Sequence, residues 1–266
     1  MNKERWLQRA RSFDEAAELY DWARREHPDA LFEDLFAQAG IQPDGARVLE
    51  IGCGTGQATL PLARRGCRVV GVEMGSNLAR LARRKLAQFP GVAIENARFE
   101  DWEPEGAVFD VVFAANSWHW LDPRLRYAKA AAALRPGGVL AFTAGHQAFP
   151  PGFDPFFAEI HKCYQAIGED SMSWPPAPPE QISDAREEIE RSGSFQDVRI
   201  VRRVWTEEFT ADEYVGLVST ASDHRLMDAV KRERLFTEMR RLIAARPGGR
   251  IRKHNLTILH FARRKP

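Results

Sequence analysis

Apolar positions change their period twice along this chain, and each change marks a change of element. In the first 40 residues they recur at helical spacing, as in "SFDEAAELYDWARRE", where Phe13, Ala17 and Tyr20 share a face with the stem of Arg24. Ser12 with Glu15 three residues on reads as a capping box that opens this helix. His27-Pro28 ends it, and "DALFEDLFAQAG" makes a second helix stopped by Gly40. From Ala46 short β-rich runs appear: "RVLEI", "RVVGVE", "GVAIENARF", "FDVVFAAN" and "VLAFTA". Helical patterns separate most of them, at "LPLARRG", "SNLARLARRKLAQF" and "RLRYAKAAAALRPGG".

Strands alternating with helices predict a parallel sheet covered on both faces, with right-handed crossovers. After Ala144 the pattern loosens. One helix is expected in "HQAFPPGFDPFFAEIHKCYQAIG", a stiff loop at "WPPAPPE" and a short helix at "AREEIERSG". Two long alternating runs follow, "VRIVRRVWTEEF" and "IRKHNLTILHFARR", with helices between them at "ADEYVGLVSTAS" and "RLMDAVKRERLFTEMRRLIAA". They read as an antiparallel pair at one sheet edge. The expected fold is α/β, a doubly wound Rossmann-like sheet of seven strands with the last antiparallel, under a helical cap. Residues 1–266 are expected to form a single domain: an N-terminal helical cap (1–45), a core (46–144), and the remaining strands with cap inserts (145–266).

Composition narrows the class. At 266 residues, 44% hydrophobic and 28% charged, the chain fits a soluble globular protein. Lys and Arg (38) nearly balance Asp and Glu (37), so there is no overall basic field for nucleic acid, and the Arg-rich helical runs read as solvated faces. No apolar run reaches the length of roughly 18 residues that a transmembrane helix needs. The first residues, "MNKERWLQRARSFDEAAELY", lack the apolar segment of a signal peptide. Cys53, Cys67 and Cys163 show no metal-ligand spacing and fit reduced thiols in a cytoplasm.

The chemistry concentrates in "VLEIGCGTGQATLPLA", Val48 to Ala63, where a buried strand runs into three glycines at alternate positions. A phosphate loop would require a lysine after the last glycine, and none is present. A dinucleotide fingerprint fails too, because Gln57 or Thr59 stands where its third small residue belongs. What remains is Glu50, Gly52, Gly54 and Gly56 in the spacing E-x-G-x-G-x-G. Glycines admit a ligand close to the backbone, and a carboxylate just before the turn suits an ammonium. The second strand ends on Glu73, where an acidic side chain accepts from a ribose diol. A ligand with a ribose, an amino group and no required phosphate fits S-adenosylmethionine (SAM).

These motifs resemble those of class I SAM-dependent methyltransferases. "VLEIGCGTG" is similar to their first motif, "VVGVEMG" to the ribose motif and "ARFEDW" to the adenine loop. "FDVVFAANSWHWLDP" is similar to the fourth-strand motif and "LRPGGVLAFT" to the fifth, all in order between residues 46 and 144. The flanks "SFDEAAELYDWARREHP" and "YVGLVSTASDHRLM", with "HWLD", resemble the type 11, trans-aconitate methyltransferase-like small-molecule group. Two departures stand out: "RREHP" (Arg24 to Pro28) replaces "RPGYP", and Arg98 stands where many relatives place Asp or Asn.

The resemblance implies a cofactor site of Glu50, Gly52, Gly54, Gly56, Gln57, Glu73, Met74, Phe99, Glu100, Asp101 and Asn116. It places Tyr20, Arg24 and Trp118 toward a small-molecule substrate and His119 as a candidate general base, weighed against a structural histidine between two tryptophans. The implied reaction is methyl transfer to a small molecule such as a carboxylate or hydroxyl compound. An RNA or protein methyltransferase and a non-catalytic SAM-binding module are the alternatives. No metal and no membrane partner are expected, and the oligomeric state is left open.

Overall fold

The computed structural model describes residues 3–104, 108–169, 174 and 176–266. A seven-stranded sheet runs in the order β3-β2-β1-β4-β5-β7-β6. Its strands are β1 (Arg47–Ile51), β2 (Arg68–Glu73), β3 (Val92–Asn96), β4 (Phe109–Ala115), β5 (Leu134–Ala148), β6 (Phe195–Thr210) and β7 (Arg250–Arg264). Strands β1 to β5 pair in parallel, and β7 is antiparallel to both β5 and β6. The expected doubly wound sheet with an antiparallel last strand is what forms. Strand order reverses between β1 and β4, which makes the switch point where such sheets bind ligands.

The period-2 rule explains the two faces. Leu49, Ile51, Val112, Ala114, Leu140 and Phe142 bury on one side, with Trp118, Tyr127 and Ile189 over them. Val48, Val111, Phe113, Val139 and Ala141 bury on the other, beneath helices α3 (Asp29–Ala39) and α4 (Thr59–Arg64). Helix α3 ends at Gly40, whose φ of 68° is the left-handed cap that glycine adopts most readily. A further core collects Phe156 from α7 (Phe156–Ala166), Phe209 and Ile251 from β6 and β7, Tyr214 from α9 (Ala211–Ser219), and Leu235 and Met239 from α11 (Ala229–Ala244). The remaining helices are α1 (Lys3–Glu15), α2 (Ala17–Ala23), α5 (Ser76–Leu86), α6 (Arg126–Ala133), α8 (Arg186–Arg191) and α10 (Ser222–Arg225).

Two local readings are corrected, and a third lies partly outside the described residues. Ser12 does not open a helix. It lies in the last turns of α1, and its hydroxyl donates back to the Arg9 carbonyl at 2.7 Å, an alternative that short polar side chains offer inside a helix. The capping box forms instead at α9, where Thr210 and Glu213 cap each other's backbone N–H. Strand β5 continues past Ala144 to Ala148, because β7 supplies partners as far as His254. The expected loop "WPPAPPE" lies partly outside the described residues; 176–178 are irregular, and Pro179–Gln181 form a 3₁₀ turn.

Candidate active site

A cavity of about 660 Å³ opens at the carboxyl ends of β1, β2 and β4, a volume typical of sites for small ligands. Its floor is the glycine turn. Gly52 and Gly54 line it with left-handed φ values of 68° and 58°. Gly52 is further constrained because the turn meets the β4 loop there: a side chain would stand 2.6 Å from Ser117 Cβ, and the Ser117 hydroxyl donates to the Ile51 carbonyl. At Gly54 the nearest atoms to an added Cβ are Gln57 Oε1 at 3.4 Å and the Tyr20 ring at 3.6 Å, so bare backbone faces the cavity.

Glu73, only 6% exposed, forms the adjoining wall. Its Oε2 accepts from the Gly54 N–H at 2.9 Å and its Oε1 from the Gly75 N–H at 2.8 Å. Burial raises its pKa, and these two bonds oppose the rise. A carboxylate oxygen can accept from more than one donor. Met74, Phe99 and Glu100 continue the wall; Glu100 Oε1 accepts from the Asp122 N–H at 3.0 Å. Asn116 closes it at φ 57°, a left-handed conformation that asparagine tolerates. Its N–H donates to Thr143 Oγ1 at 2.9 Å, and the Thr143 hydroxyl donates to Asn116 Oδ1 at 3.0 Å.

Helix α2 covers the turn. Asp21 accepts from the Thr55 hydroxyl at 2.6 Å and pairs with Lys85. This holds Tyr20 and Arg24 on the wall, with the Arg24 guanidinium 4.8 Å from the Tyr20 ring centroid and its Nε donating to Thr220 Oγ1 at 3.0 Å. The 3₁₀ turn Trp118–Trp120 sorts its side chains by direction. His119 and Trp120 line the cavity with ring centroids 5.0 Å apart. Burial, then the charges of Arg126 and His146, hold the His119 pKa below its ordinary value, so its imidazole is neutral at pH 7. Among the described residues its ring has no hydrogen-bond partner.

Four of the candidate residues stand off the cavity wall. Glu50, 1% exposed, lies inside the sheet beside Gly71 and Phe113, and its Oε2 has no partner among the described residues. Gly56 turns toward α5, where an added Cβ would meet Leu86 at 3.1 Å. The Asp101 side chain is 69% exposed and faces Arg98. Trp118 is core: it stacks on Phe142 at 4.9 Å and meets Tyr127 edge-on. Adjacent residues in a tight turn point in different directions, and the linear motif does not separate Trp118 from His119.

The far wall went unread in the sequence. It consists of His146 and Gln147 from β5, Trp205, Glu207 and Phe209 from β6, and Lys253, Asn255 and Thr257 from β7. Their one available signal was strand alternation: 253, 255 and 257 share a face, as do 205, 207 and 209.

The cavity combines a bare glycine turn, a buried acidic side chain beside it and a volume of ligand size at the switch point. A family model described as a methyltransferase domain matches residues 48–138. The chain carries a class I, SAM-dependent methyltransferase domain. It is 27% identical over 236 residues, 89% of this chain and 87% of the relative, to an uncharacterized methyltransferase of Mycobacterium tuberculosis. It is 40% identical over 111 residues to a trans-aconitate 2-methyltransferase of Rhodopseudomonas palustris, a match that spans 41% of each protein. Among solved structures, a protein from Anaeromyxobacter dehalogenans described as a "putative type II methyltransferase" is similar with TM-score 0.63 and 25% identity, over 91% of this chain and 99% of that one. A phosphoethanolamine N-methyltransferase from Haemonchus contortus, solved with SAM, shares the fold at TM-score 0.53 and 18% identity, over 95% of this chain and 57% of that one. The methyltransferase has no helix among its described residues that is long and apolar enough to cross a membrane, and no cluster there of three or more residues suited to a metal.

Proposed function

We propose that this methyltransferase transfers a methyl group from SAM to a small molecule held in the same cavity. One observation carries the reading: the glycine turn, Glu73 and His119 line one and the same cavity. The partial likeness to trans-aconitate 2-methyltransferases supports an acceptor of that size.

In this reading Gly52 and Gly54 bring backbone against the cofactor. Glu73 accepts from the ribose hydroxyls while its bonds to Gly54 and Gly75 hold it in place. Gln57, Met74, Phe99, Glu100 and Asn116 line the rest of the cofactor site. Glu50 acts through the turn that it underlies. SAM supplies an electrophilic methyl carbon on a sulfonium. The protein's task is to align the acceptor with that carbon and to exclude water. His119, whose ring has no hydrogen-bond partner among the described residues and whose neutral form burial favours, takes the proton of a hydroxyl or amine acceptor or orients an acceptor that has none. Tyr20 and Arg24 form the lid side of the acceptor space.

The test uses SAM labelled in its methyl group, incubated with the protein and a cell extract that is then fractionated. The label should enter the small-molecule fraction and depend on the protein. Label confined to RNA or to polypeptide would contradict the reading.

A further inference from the structure

The carboxylates on the cavity wall are all engaged. Glu73 and Glu100 hold backbone N–H groups, Glu26 pairs with Arg64, and Asp223 with Arg9. Glu207 accepts from Asn255 Nδ2 at 2.9 Å and faces Arg25 at 3.8 Å. Two cations on the same wall, Arg24 and Lys253, have no carboxylate within 4 Å among the described residues.

Arg24 spends Nε on Thr220, and its terminal nitrogens make no hydrogen bond among the described residues. Lys253 stands opposite Glu207 in the β6–β7 ladder, but Asn255 intervenes: the ammonium donates to Asn255 Oδ1, and the Asn255 amide donates on to Glu207. The charged groups facing Lys253 are Glu207 from β6 and Arg24, the residue that follows α2. Burial, with Arg24 adding to it and Glu207 opposing, brings the ammonium down to about 8. A second positive charge beside the buried Lys253 ammonium is costly unless an anion joins them.

We propose that Arg24 and Lys253 together bind an oxyanion on the methyl acceptor, and that Lys253 selects acidic acceptors over neutral ones. A guanidinium with free terminal nitrogens takes a carboxylate or phosphate through paired bonds, and the ammonium adds a point charge. The proposal rests on the methyl-transfer reading, because it assigns the anion to the acceptor.

The experiment is a calorimetric titration of the protein saturated with S-adenosylhomocysteine, at constant ionic strength and pH 8, in two buffers of different ionisation enthalpy. The probes are malonate, inorganic phosphate and neutral malonamide. At least one anion should bind and malonamide should not. Malonate alone indicates a carboxylate, phosphate alone a phosphate ester, and both a general oxyanion site. Lys253→Met and Arg24→Met should each raise the anion Kd by about 10-fold or more, the scale of one lost charge-assisted contact. An anion that raises the Lys253 pKa should draw up to ~0.5 proton per site from solution at pH 8. That uptake should vanish in Lys253→Met and in Lys253→Arg, while Lys253→Arg keeps most of the affinity. No binding of either anion, equal binding of malonamide, or an unchanged Kd in Lys253→Met overturns the proposal. Failure of S-adenosylhomocysteine itself to bind counts against the methyltransferase reading, and the anion arms, repeated without it, still test the receptor.

Discussion

Glu50 occupies a strand position where every neighbour in sequence is apolar or glycine, and burial pushes its pKa up to about 8 from an ordinary 4.5. Its protonated form is therefore favoured by folding. Between those two values the folded chain holds more protons than the unfolded one, so the stability present below pH 4.5 is lost as pH rises toward 8. The slope approaches about 1.4 kcal/mol per pH unit. Glu50→Gln, which cannot ionise, should remove this slope; urea midpoints of the two proteins at pH 5 and pH 8 provide the comparison. An equal pH dependence in the variant would show that Glu50 is ionised at no cost. His119 makes a kinetic prediction at the same scale. His119→Ala should lower turnover about 10²- to 10⁴-fold with SAM affinity nearly intact. In the wild type the rate should fall as pH drops through the lowered histidine pKa, below 6.5. Near-normal turnover by His119→Asn, which keeps a hydrogen bond but cannot titrate, would remove the base role and leave an orienting one.

Helix α5 carries no cap of its own, because Gly75 precedes it. Asp14 of α1 supplies one from afar, with Oδ1 accepting from the N–H groups of Asn77 at 2.8 Å and Leu78 at 3.1 Å. This contact ties α1 to α5 beside the cavity, in addition to the bonds that Asp21 of α2 makes to Thr55 and Lys85. Asp14→Ala should cost about 0.5–2 kcal/mol, as other lost caps do, and should speed release of S-adenosylhomocysteine. Stopped-flow dissociation measures the second effect, and an unchanged off-rate would mean that α1 and α2 do not retain the ligand. Elements were legible where the period was clear: β1, β2 and β4 alternate between two apolar faces, and α3 announces its end with Gly40. Ser12 was misread because a serine and a glutamate three apart look the same at a helix start and inside one. Lys253 and Asn255 were missed for a related reason. Alternation tells that they share a face of β7, but only the folding of α9 and α10 over the sheet decides that this face meets the cavity.

For the molecule as a whole, the cavity is a joint product of distant segments. The glycine turn and Glu73 come from the core, Tyr20 and Arg24 from the N-terminal helices, and Lys253 and Asn255 from the final strand. The cofactor half was legible because close approach and acidic recognition leave a dense local pattern of glycines and carboxylates. The opposite wall, where we propose that the acceptor binds, was not, since its residues lie more than 200 positions apart and are ordinary strand and helix residues in isolation. The N-terminal helices also make partly exposed ion pairs to α10, Arg9–Asp223 and Arg225–Glu15, which contribute little each. The central claim is that the turn and Glu73 hold SAM. Isothermal titration with SAM tests it most directly, comparing the wild-type protein with Glu73→Ala and Gly54→Val. Glu73→Ala should weaken binding by about 1.5–3 kcal/mol, the range for a hydrogen bond to a charged group. Gly54→Val, which forces a branched side chain into left-handed backbone facing the cavity, should abolish binding while the circular dichroism of the fold persists. SAM affinity unchanged in both variants would contradict the account.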